Sequence, residues 1–154
     1  MDGMKKKWNP WIKRILITGF ALLIAGAAII WYLFTEKFDD TSKSKTDFTV
    51  NAMPFLAEFQ QNDSLANKKY AEQIIIVRGR VSATEAADTT INIKMVDTAT
   101  SAYIIFAFQQ QHLAEAKLLK VGDSIAIKGS CSGGTHSDIL ETEFVTFKRC
   151  AITK

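Results

Sequence analysis

The pattern of apolar and polar positions changes character along the chain. From Ile15 to Phe34, ILITGFALLIAGAAIIWYLF is an uncharged apolar run in which only Thr18, Trp31 and Tyr32 carry side-chain polar atoms. About 20 residues at about 1.5 Å each span roughly 30 Å, the hydrocarbon thickness of a bilayer, so the run predicts a transmembrane helix over 15–34. The next stretch, 35–50, is polar and mixed in charge and reads as a linker. In MPFLAEFQQNDSLANKKY, Met53, Leu56, Phe59, Leu65, Ala66 and Tyr70 recur at near-helical spacing. The interruption around Asn62 to Ser64 predicts a kink in that helix.

Beyond Tyr70 the period becomes two, which predicts strands. In QIIIVRGRVSA, Ile75, Val77, Gly79 and Val81 share one face, and the mid-strand glycine suggests a bulge or sharp coil. TTINIKMVD gives a second strand with Ile91, Ile93 and Met95 inward, and SAYIIFAF a third with Ile104, Phe106 and Phe108. A short helical pattern on Leu113, Ala116 and Leu119 follows. SIAIKGSC is the fourth strand, with Ile125, Ile127, Gly129 and Cys131 inward, and EFVTFKRCAIT the fifth. In the fifth, Val145 and Phe147 share a parity that Cys150 and Ile152 do not, so a bulge near Lys148 is expected.

Five short strands, a coiled first strand and a helical insertion between the third and fourth predict a mainly β domain. Its expected form is a five-stranded OB-fold barrel over 51–154, preceded by an α-helix. At ANKKY, IIIVRGRV, LLKVGDSIAIKGSCSG and FKRCAI the chain resembles the bacterial tRNA_anti-like family over roughly Met53 to Ile152. That resemblance implies an OB-fold in membrane-anchored or exported proteins of unknown role. The family is named for likeness to anticodon-binding OB domains, which is not itself a sign of tRNA binding. Some relatives carry a cysteine in the third strand, where this chain has YIIFAF.

Charge decides orientation. Lys5, Lys6, Lys7, Lys13 and Arg14 crowd the N-terminal side of the apolar run, so 1–14 reads as a basic cytoplasmic tail and the C-terminal domain is expected outside the cytoplasm. Trp8 and Trp11 before the run, with Trp31 and Tyr32 at its far end, suit the two membrane interfaces. A cleaved secretory signal is the rival reading, but IIWYLF prolongs the apolar run past the small residues Ala25 to Ala28. From Thr35 onward there are 14 Lys and Arg against 15 Asp and Glu. The displayed part therefore lacks the basic footprint of a nucleic-acid binder.

In an oxidising compartment Cys131 and Cys150 form a candidate disulfide. A simple hairpin with a loop at 132–142 would place Cys131 opposite residues near Glu143, about seven residues from Cys150, so two buried thiols are the alternative. Gly129-Ser130-Cys131-Ser132-Gly133 superficially matches a nucleophile elbow, but it leads into a glycine-rich loop rather than a helix. His136 and Asp138 lack paired metal-ligand spacing, and His112 is expected at the surface. No metal, cofactor or catalytic residue is expected.

OB barrels take ligands across the second and third strands. The outward parity offers Arg78, Arg80, Asn92, Lys94, Tyr103 and Ile105 as a candidate binding face. The expected role is a membrane-anchored, non-enzymatic binding or assembly module for an extracytoplasmic protein or envelope ligand. A membrane-tethered single-stranded nucleic-acid binder is the alternative.

Overall fold

The computed structural model describes residues 9–35 and 39–153. The chain divides into two units, Met1–Phe38 and Asp39–Lys154. In the first, helix α1 (Pro10–Thr35) runs for 26 residues with no buried residue. Proline suits a first helical position, where its missing N–H is not needed. Thr18 Oγ1 donates to Arg14 O, and Thr35 Oγ1 to Trp31 O, so both hydroxyls are satisfied within the helix. The predicted span lies wholly inside α1, which begins earlier and takes in Lys13 and Arg14 from the stretch read as tail. By length and composition α1 can cross a membrane, and the same features suit a signal sequence.

In the second unit the strands are β1 (Phe48–Asn51), β2 (Ile74–Arg80), β3 (Ala83–Ala86), β4 (Ile91–Val96), β5 (Tyr103–Phe108), β6 (Ser124–Ser137) and β7 (Thr142–Thr153). They form one seven-stranded mixed sheet in the order β1-β2-β6-β7-β5-β4-β3, not the five strands expected. The first predicted strand is two, because the chain changes neighbours at Val81 and Ser82. Val81 N donates to Asp123 O, then Ser82 N donates to Lys94 O, so β2 pairs with β6 and β3 with β4. Since β2 and β3 follow directly in the chain yet lie far apart in the strand order, the sheet curls back on itself in an OB-like way.

The other additional strand comes from the stretch read as linker. Phe48–Asn51 runs parallel to β2, and Asp47 brackets Ile74, its N–H donating to Ile74 O while its carboxylate accepts from Ile74 N. Upstream, the 3-10 turn Thr41–Lys43 is held by Lys128, a buried lysine whose Nζ donates to the carbonyls of Ser42 and Ser44. Asp40 receives a 2.9 Å contact from His112 Nε2, so that histidine is half-buried rather than at the surface. The hydrogen bonds from His112 and Ser42 hold the Asp40 carboxyl well below the usual range. A short polar stretch hides such a role because its anchoring partners lie far along the chain.

The predicted helix is two, α2 (Ala52–Gln61) and α3 (Asp63–Tyr70), separated by Asn62, whose side chain accepts from Leu65 N and caps α3. They bring Phe55, Phe59 and Tyr70 together, with Phe55 reaching Phe147 at 5.8 Å between ring centroids. Asn67 clamps α3 to β6 in both directions, its amide donating to Gly134 O at 2.9 Å and its oxygen accepting from Gly134 N at 2.8 Å. Gly134 must be glycine for this approach, since a Cβ there would sit 2.4 Å from Phe59. The ANKKY and GSCSGG segments are thus two sides of one contact. A last short helix, α4 (Leu113–Ala116), follows β5.

The anticipated bulge is present. The β6–β7 register shifts between Lys128 and Ser130, β5–β7 shifts between Phe106 and Phe108, and Arg149 has φ 54°. This lets Val145, Phe147 and Cys150 all reach the core despite their conflicting parity.

Candidate binding surface

Four of the six residues proposed for the binding face lie together. Lys94 faces Ile105, Asn92 faces Ala107, and Tyr103 faces Val96 across the β4–β5 ladder. Lys94 Nζ lies 2.5 Å from Glu85 Oε1 on β3 and 5.4 Å from the Tyr103 ring centroid. On its other side Tyr103 stacks on Phe144 of β7, 5.7 Å between centroids and 12° between planes. Glu85 and Phe144 are absent from the sequence reading. Glu85 was hidden because β3 was not recognised as a strand, and Phe144 because β5–β7 pairing is parallel and remote in sequence.

Arg78 and Arg80 are placed differently. They stand exposed on β2, opposite Ala126 and Ser124 of β6, and line a cleft of about 960 Å³ with Met53, Pro54, Val96 and Ile125. Among the described residues neither arginine forms an ion pair. Val96 belongs to both places, since it pairs with Tyr103 and also lines the cleft. The predicted single face therefore has two parts, one with its cation paired internally and one without. Between the two arginines, Gly79 lets the core approach β2 closely, since a Cβ would meet Met95 Sδ at 2.6 Å and Ala52 Cβ at 2.9 Å.

Cys131 and Cys150 are buried and free. The β6–β7 hairpin turns only at 138–141, because β6 continues through most of the expected loop to Ser137, so Cys131 faces Phe147 rather than a residue near Glu143, while Cys150 faces Phe108 on β5. Burial pushes the Cys131 thiol up to about 11 and holds that of Cys150 well above its ordinary value, so neither is a ready nucleophile. The elbow-like Gly129 to Gly133 lies inside continuous strand β6, not at a strand-to-helix turn.

His136 Nδ1 lies 3.6 Å from Glu143 Oε2. Burial, and then the charge of Asp63, raise the Glu143 pKa against the opposing pull of His136. On α1, Trp11, Trp31 and Tyr32 are exposed near the two ends of the helix, and Trp8 lies outside the described residues.

The sequence profile of the tRNA_anti-like family matches residues 4–142, and the chain belongs to that family. Comparison with curated proteins gives no match. Among solved structures, the chain is similar to a lipoprotein from Klebsiella pneumoniae subsp. pneumoniae to which nucleic-acid binding is ascribed. That likeness has a TM-score of 0.55 at 20% identity, covering 77% of this chain and 100% of the other, and it supports the fold alone. A protein from Leishmania major assigned as an aspartyl-tRNA synthetase has a TM-score of 0.45 at 10% identity, with 77% of this chain and 22% of that one covered. The aspartyl-tRNA synthetase from Entamoeba histolytica gives 0.42 at 11%, covering 71% and 25%. At those scores neither carries an argument about this chain.

Proposed function

We propose that this protein is a single-pass membrane protein of the cell envelope, anchored by α1 with its N-terminus in the cytoplasm. Its OB-like domain acts outside the cytoplasm as a non-enzymatic binding or assembly module for a protein or other envelope ligand. The observation that carries the ligand preference is the state of Lys94. Its charge is already engaged by Glu85, so the outer β4–β5 face presents a neutral aromatic and polar surface rather than a cationic groove. The positive flank of α1 supports the orientation.

A second reading, binding of single-stranded nucleic acid, is favoured by the stacked Tyr103 and Phe144 rings and by the role ascribed to the Klebsiella lipoprotein. Two measurements separate the readings. A reporter fused after Lys154 that functions only outside the cytoplasm is expected to be active, and activity of a cytoplasm-only reporter there overturns the topology. Retention of the full-length protein on single-stranded DNA or RNA, lost with rising salt, would move the ligand to the second reading.

A further inference from the structure

We infer that the Arg78–Arg80 cleft is the recognition site for an extended acidic segment of a partner protein, with carboxylates two residues apart. This rests on the reading of the domain as a protein-binding module and names the chemistry of the partner. Arg78 and Arg80 lie at alternate positions of β2, so their side chains leave the same face about 6.6 Å apart along the strand. An extended peptide has the same repeat, which places alternate carboxylates one on each guanidinium. Arginine suits this role because its planar fork binds a carboxylate through two parallel hydrogen bonds. The residue between the two carboxylates points the other way in an extended chain, leaving the acidic edge free to lie along the arginines.

Both guanidiniums lack an internal partner among the described residues, unlike Lys94. The walls from Met53, Pro54, Val96 and Ile125 are apolar, so they accept apolar groups flanking the acids. A nucleic-acid strand could also present anions at similar spacing. No aromatic ring is among the residues lining the cleft, however, so base stacking, the usual anchor of a single strand, is not supplied there.

The test uses the full-length protein in zwitterionic-lipid nanodiscs and a fluorescent eight-residue peptide of alternating glutamate and valine. Expected are saturable binding that weakens with salt, at least a tenfold loss of affinity in the Arg78→Glu/Arg80→Glu variant, and binding of a lysine–valine peptide by that variant instead. Both positions are exposed, and unchanged circular dichroism verifies that the fold persists. Equal affinity for the glutamate peptide in the two proteins overturns the proposal. So does preference for a thymidine oligonucleotide that the same variant abolishes.

A photo-crosslinker at Met53 or Ile105 in native membranes separates this proposal from the broader reading. Partner capture through Ile105 with no peptide binding overturns the cleft alone. No capture from either position and no peptide binding overturns both.

Discussion

Two aromatic clusters in the same domain behave differently. Under α2 and α3, Phe55, Phe59 and Tyr70 are buried: Phe55 packs edge to face on the other two, Phe59 and Tyr70 lie nearly parallel, and Phe55 meets Phe147. On the outside of β5 and β7, Tyr103 and Phe144 stack face to face while half-exposed, beside the Lys94–Glu85 pair. The first cluster is shaped by constraint, since only glycine at 134 leaves room for the Phe59 ring and the Asn67 clamp holds α3 against β6. The second is shaped by local cancellation of charge. Rings in a core hold a fold together, whereas rings on a neutralised surface are available to something else.

The largest test of that contrast is Phe59→Ala, expected to cost about 4 kcal/mol through lost burial and a cavity between α2 and β6. The denaturant midpoint should fall steeply, and a loss under about 1 kcal/mol would mean the helices do not cap the core. Gly134→Val attacks the same contact from the sheet side. Overpacking against Phe59 should cost about 3 kcal/mol, and thermal unfolding would report it. Restored stability on combining it with Phe59→Leu would show that the two positions compete for one space.

A smaller effect is expected at Glu143, which is buried opposite His136 of β6 with Oε1 unpartnered. Its carboxyl pKa is raised, mainly by burial, so the folded state holds its proton more tightly than the unfolded chain does. The associated stability is present below the ordinary glutamate pKa and is lost as pH rises through the folded value. Glu143→Gln should therefore leave acid stability nearly unchanged and raise stability at neutral pH. Equal change at both pH values would assign the effect to packing instead. The smallest effect belongs to the outer face. Lys94→Ala should shift stability by no more than about 0.5 kcal/mol, because a surface ion pair contributes little. A loss above about 1.5 kcal/mol would make that face structural.

Legibility followed the range of the determining interactions. The alternation in INIKMV and the burial of Ile91, Ile93 and Met95 agree residue by residue, because a strand's facing is local. The clash of parity between Phe147 and Cys150 announced its bulge for the same reason. Less was readable where the partner is distant. Phe48–Asn51 is a strand only because β2 is beside it, and Lys128 is a buried lysine only because the carbonyls of Ser42 and Ser44 return to it. The candidate site was half legible. Parity chose outward residues correctly, but not which of them share a surface.

The sequence by itself determined an apolar helix with a basic N-terminal flank, the period-two strands, and the membership in the tRNA_anti-like family carried by its motifs. These depend on hydropathy, spacing and residue order, which are properties of neighbours along the chain. Tertiary structure alone decided that the first strand breaks at Val81 and Ser82, that Glu85 neutralises Lys94, and that Arg78 and Arg80 face an apolar cleft without an acid of their own. Charge pairing is a matter of a few ångströms through space, and strand order sets those distances.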